Sequence, residues 1–117
     1  MDVIDNLNKL VGKAYDVVDY HCYHLIEEAV PNAPKLDMVN VATAEFDVID
    51  YKHLFKPIRK PKEGRCIVLL GKEHIGIYDA DIGYIMHNDS RTGTGVRWES
   101  YHNMVRKYND ELNYFTV

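Results

Sequence analysis

Three residues offer the chemistry most readily: Cys22, His74 and His87. A thiol becomes a nucleophile as the thiolate, which a helix N-terminus or a neighbouring imidazole favours. Cys22 stands where a helical pattern begins, with Leu25, Ile26, Ala29 and Val30 on one apolar face and Pro31 and Pro34 ending it. There the positive end of the macrodipole stabilises thiolate, and the first-turn N–H groups form a site for an oxyanion. His74 and His87 flank a predicted hairpin. With Tyr78 paired to Gly83, His74 falls directly opposite His87, on the face that does not carry Ile75 and Ile77. The first imidazole can then take the thiol proton while the second fixes its tautomer. A one-residue slip would put the two rings on opposite faces. Taken singly, each of these residues has a plainer account: free cysteine is among the most buried residue types, and a lone histidine is usually a packing or surface residue.

The elements that must position these groups follow from the periodicity. Val3, Ile4, Leu7, Leu10 and Val11 recur at helical spacing, and Gly12 is a natural stop. The second helix covers about Cys22 to Val30. Residues 32–62 are rich in charge and proline, which predicts mostly irregular chain with one short strand near Phe46 to Ile49. The period then changes. Cys66 to Leu70 is a continuous apolar run and reads as a buried strand. His74 to Tyr78 alternates, residues 79–83 have turn composition, and Tyr84 to His87 resumes strand character. Asn88 to Gly95 reads as a loop, Val96 to Trp98 as a strand, Glu99 to Lys107 as a helix and Asn113 to Val117 as a final strand. Helices first, then an antiparallel meander, then a short helix describe an α+β domain with its helices segregated from the sheet.

The bulk properties narrow the function classes. A chain of 117 residues fits one domain, spanning 1–117, that can bury a core without disulfides. A net charge of −4 implies no broad cationic surface, so no nucleic-acid partner is expected. The basic run from Lys56 to Lys62 is broken by Pro57 and Pro61 and reads as a solvated loop. Nine tyrosines are many for this length, and their amphipathic rings suit a wet groove. The start of the chain lacks a basic region and a long apolar run, which predicts synthesis in the cytoplasm without a secretory signal. No apolar stretch is long enough for a membrane span. The two cysteines, Cys22 and Cys66, allow a single bridge that would abolish thiol chemistry; the alternative for Cys66 is buried strand packing.

The three candidates taken together also carry a resemblance. His74-Ile75-Gly76-Ile77-Tyr78, followed by Tyr84-Ile85-Met86-His87, resembles the His-Val-Gly-Ile-Tyr … Phe-Ile-His signature of the NlpC-type cell-wall cysteine peptidases, a papain-like family. Cys22-Tyr23-His24-Leu25-Ile26 is similar to the family's Asp-Cys-Ser-Gly-Leu-Val, and its phage tail branch often has an aromatic residue after the cysteine, as Tyr23 is here. Gly12-Lys13-Ala14-Tyr15 is similar to the Gly-x-Pro-Tyr segment, and Gly64-Arg65-Cys66-Ile67-Val68 takes the place of the Pro-Gly-Asp-Leu-Val strand. The resemblance implies a papain-like NlpC-type domain with N-terminal helices packed on an antiparallel sheet. It implies a peptidoglycan endopeptidase or amidase that needs no cofactor and cleaves stem peptides, with Cys22 as nucleophile, His74 as base and His87 orienting it. It implies that the Tyr15 hydroxyl assists the oxyanion site and that Tyr23 and His24 lie on the substrate side. Other phage tail proteins are the partner class that the tail branch suggests, and the virion tail or release at lysis is the delivery route. The sequence departs from the pattern at His21, where the family has Asp, and at the bulky Tyr23 and His24. Two other readings stand beside this one: a zinc site using His21 and His24 at i, i+3, and a non-catalytic phage tail component that keeps the fold.

Overall fold

A computed structural model of the chain describes residues 7–12, 22–30, 55–71, 74–89 and 95–116. A 3-10 helix, Leu7–Leu10, precedes α1 (Cys22–Ala29). Then come β1 (Lys56–Ile58), β2 (Arg65–Leu70), β3 (His74–Asp79), β4 (Tyr84–Asp89), β5 (Gly95–Ser100), α2 (Tyr101–Lys107) and β6 (Leu112–Thr116). The six strands form one sheet in the order β1-β6-β2-β3-β4-β5, and every neighbouring pair is antiparallel. Among the described residues, no helix is long and apolar enough to cross a membrane.

This architecture corrects the expectation of a papain-like α+β domain with N-terminal helices packed on a sheet. The described residues are predominantly one antiparallel sheet, and the helices are few and short. The expected opening helix is described only from Leu7, as four residues of 3-10 turn that stop at Gly12, whose φ is +90°. The helices are not gathered into one layer either. Leu25, Ile26 and Ala29 of α1, with Val30 just after it, pack with Ile67, Ile75, Ile77, Met86, Val96 and Phe115. Met104 of α2 packs on the other face with Cys66, Val68, Leu70, Tyr78 and Ile85. The physical reason is that the central strands are apolar on both faces, so each face needs its own cover. An eight-residue helix such as α1 is too short to persist alone, and complete burial of Leu25 and Ile26 holds it.

The β3–β4 hairpin sets the geometry of the site. Its register pairs Gly76 with His87, Tyr78 with Ile85 and Asp79 with Tyr84, two residues away from the expected pairing of Tyr78 with Gly83. The turn chemistry explains the difference. The buried Asp79 carboxylate accepts the Asp81 N–H at 3.0 Å and pairs with Arg65 at 2.8 Å, closing an Asx-type turn. The Gly83 N–H donates to the Asp79 carbonyl at 2.9 Å, and Gly83 has φ +70°, so it ends the turn instead of starting the strand. Because the displacement is an even number of residues, His74 and His87 keep a common face and become diagonal neighbours. Gly76, opposite His87, is needed for close approach. A Cβ there would lie 2.6 Å from the Met86 carbonyl oxygen and 3.2 Å from the His87 Cβ.

Other boundaries also moved. Glu99, expected in a helix, is in β5; α2 begins only after Ser100, whose hydroxyl accepts the Asn103 N–H at 3.3 Å as an N-cap. β5 also extends back to Gly95 and β4 on to Asp89, into the expected loop. β1 lies within the run expected to be irregular, as an exposed edge strand. Pro57 suits that edge, since it has no N–H for a further partner. The strand expected near Phe46 to Ile49 lies outside the described residues.

Candidate functional site

The even-numbered face of β3 carries His74, Gly76 and Tyr78, and the register places His87 of β4 and then Arg97 and Glu99 of β5 on the same face. Alternation along each strand, together with the cross-strand pairing, brings these residues together although they are far apart in the chain. His74, at the start of β3, is half-buried, and His87 is fully buried. Nε2 of His74 lies 2.9 Å from Nδ1 of His87, with the rings edge to face at 5.0 Å between centroids. Nε2 of His87 lies 2.9 Å from Oε1 of Glu99. Arg97 Nη2 donates to the same oxygen at 3.0 Å, and Lys107 Nζ lies 2.6 Å from Oε2. Tyr108, directly after α2, stacks on His74 at 6.3 Å with the ring planes 19° apart.

Electrostatics hold the inner end of this chain ionised. Burial pushes the Glu99 carboxyl up, but the hydrogen bonds and charges of Lys107 and His87 outweigh it and hold the group below its ordinary value. A half-buried imidazole is thus backed by a buried imidazole, which is backed by a carboxylate clamped by two cations. Such an arrangement can accept a proton at its outer end and stabilise the resulting positive charge from within.

Of the expected site residues, the structure joins His74 and His87 directly. Cys22 is the first residue of α1, at the N-terminus where the sequence puts it, but the side chains of Cys22, Tyr23 and His24 lie outside the described residues. Tyr15 and His21 lie outside them altogether. α1 packs against β3 and β4 from the Ile75 and Ile77 side, whereas both imidazoles are on the other face. His74 stands at the end of the sheet where β3 begins. The 3-10 turn is anchored near that end: the Gly12 N–H donates to the Val96 carbonyl at 2.8 Å, and Val96 pairs with Asn88.

Cys66 forms no disulfide, which sets aside the 22–66 bridge. It is buried among Val68 and Tyr78, and burial pushes its thiol up to about 12, so it is a packing residue. Among the described residues, no group of three or more His, Cys, Asp or Glu is placed to hold a metal ion.

Sequence reasoning missed Glu99, Arg97, Lys107 and Tyr108. Two signals bear on them. Ser100 is an N-cap candidate that starts the helix only after Glu99, and alternation from Val96 through Trp98 puts Arg97 and Glu99 on the other face. Comparison with known proteins returned no matching family model, no matching curated protein and no matching solved structure.

Proposed function

We propose that the chain is a phage-borne thiol hydrolase that cleaves an amide bond in bacterial peptidoglycan stem peptides, with Cys22 as nucleophile and His74 as general base. The observation that carries this reading is the 2.9 Å contact between Nε2 of His74 and Nδ1 of His87. It backs a half-buried imidazole at a strand end with a buried one, as a base that works through a fixed nitrogen requires. Cys22 at the first position of an eight-residue helix supports the nucleophile's role, because thiolate and a developing oxyanion are both favoured there. The substrate class rests on the resemblance of the 74–87 hairpin to the cell-wall peptidases. In the reaction, the Cys22 thiolate attacks the amide carbonyl and forms a thioester. His74 protonates the leaving amine and then activates the water that hydrolyses the thioester, while His87 holds His74.

A second reading, a non-catalytic phage tail component, is favoured by one observation: α1 covers the face opposite both imidazoles. One experiment separates the two. Muropeptides incubated with the protein are followed by mass spectrometry, and Cys22 alkylation by iodoacetamide is followed below pH 7. The hydrolase reading expects cleavage that Cys22→Ala and His74→Ala each abolish, and alkylation that His74→Ala slows. Intact muropeptides with an alkylation rate indifferent to His74 would establish the structural reading instead.

A further inference from the structure

We infer that Glu99 is a positioning residue of this site: by accepting a hydrogen bond from His87 Nε2 it sets the tautomer of both imidazoles and makes Nδ1 of His74 the basic nitrogen. The inference rests on the reading of His74 as general base.

Burial opposes ionisation of Glu99, but the hydrogen bonds from Lys107 and His87 and the Lys107 charge hold it ionised, so at neutral pH the side chain only accepts hydrogen bonds. The groups that face it come from three elements: His87 of β4, Arg97 of β5 and Lys107 of α2. At 2.9 Å from Oε1, Nε2 of a neutral His87 must therefore carry the hydrogen, which leaves Nδ1 as its acceptor. That Nδ1 lies 2.9 Å from Nε2 of His74, so His74 must in turn donate from Nε2. The lone pair of His74 is thereby assigned to Nδ1. When Nδ1 takes the thiol proton, both hydrogen bonds in the chain keep their direction, and no proton has to move to Glu99. The carboxylate stabilises the imidazolium through His87, a buried ring with no solvent exposure.

α2 serves both ends of this chain. Its last residue, Lys107, holds Oε2 of Glu99 at 2.6 Å, and the next residue, Tyr108, stacks on His74. A short helix started by Ser100 thus fixes the carboxylate and restrains the outer ring.

The test uses the whole chain labelled with ¹⁵N-histidine, with long-range proton–nitrogen spectra recorded at pH 8 and hydrolysis of muropeptides measured in parallel. In the wild-type protein both His74 and His87 are expected as the Nε2–H tautomer. In Glu99→Ala the Nδ1–H form of His87 should appear, with kcat lowered by about a hundredfold or more and KM changed by less than about threefold. Glu99→Gln should restore the tautomer, since an amide oxygen accepts the same hydrogen bond, and only part of kcat, since it carries no charge. Unchanged tautomers and an unchanged kcat in Glu99→Ala would overturn the inference. If Glu99→Ala does not fold, the Glu99→Gln variant decides, and wild-type kcat in it would overturn the inference. Wild-type protein that has the expected tautomers, loses them in Glu99→Ala and cleaves no muropeptide would overturn the hydrolase reading alone.

Discussion

Gly76 is the position where the least added mass should disturb the site most. Replacing it by alanine puts a Cβ 2.6 Å from the Met86 carbonyl oxygen, where a carbon–oxygen contact normally needs about 3.3 Å. The hairpin strands must part by about 0.7 Å, because the obstacle is backbone and cannot rotate away. Overpacking of this kind costs about 1–3 kcal/mol. Against it stands a stabilisation of about 0.5–1 kcal/mol from removing a glycine from a strand interior. The net expectation is a loss of about 0–2.5 kcal/mol, centred at about 1 kcal/mol, which for a chain of 117 residues lowers Tm by roughly 4 °C at the centre of that range. The consequence for the site is sharper. Gly76 pairs with His87, so the same displacement stretches the 2.9 Å contact between the imidazoles to about 3.6 Å, beyond hydrogen-bond range. Thermal unfolding followed by circular dichroism measures the first effect, and the rate of Cys22 alkylation below pH 7 measures the second. Gly83→Ala is the control. It costs about 1–2 kcal/mol through its φ of +70°, has nothing within 4 Å of the new Cβ, and should leave the alkylation rate unchanged. A Gly76→Ala protein that melts at or above the wild-type temperature and alkylates at the wild-type rate would refute the reasoning.

Further expectations follow from the same geometry. His87→Ala should leave residual hydrolysis where Cys22→Ala and His74→Ala leave none, since an orienting group contributes less than the reacting ones; muropeptide turnover checks this. Because Glu99 is held below its ordinary value of 4.5, its ionised form adds stability that is fully present above that value and is lost as the pH falls below it. Denaturant melts should therefore show wild-type protein losing more stability between about pH 5 and pH 3 than Glu99→Gln does. In Cys22→Ala, the remaining Cys66 should resist thiol reagents at pH 8 until the protein is unfolded, because its thiol is buried and pushed up to about 12. Ser100→Ala removes the N-cap of α2 and should cost about 1 kcal/mol in chemical denaturation.

What the sequence determined by itself was local or periodic. The apolar run from Cys66 to Leu70 and the alternation from His74 onward identify β2 and β3, and the apolar face of Leu25, Ile26, Ala29 and Val30 identifies α1 with Cys22 at its start. The shared face of His74 and His87 was legible because it depends only on parity, and a displacement of two residues leaves parity intact. Only the tertiary structure decided the rest. The hairpin register depended on the Asp79 side chain and the left-handed Gly83, contacts that hydrophobic patterning does not encode. The layer arrangement depended on both sheet faces being buried, which the apolar runs allow but do not require. Glu99 reads from the sequence as a helix residue, and two of its partners, His87 and Lys107, come from β4 and α2, which the pattern within one strand does not show. Periodicity reads one element at a time, whereas a hydrogen-bonded chain of side chains exists only where several elements meet.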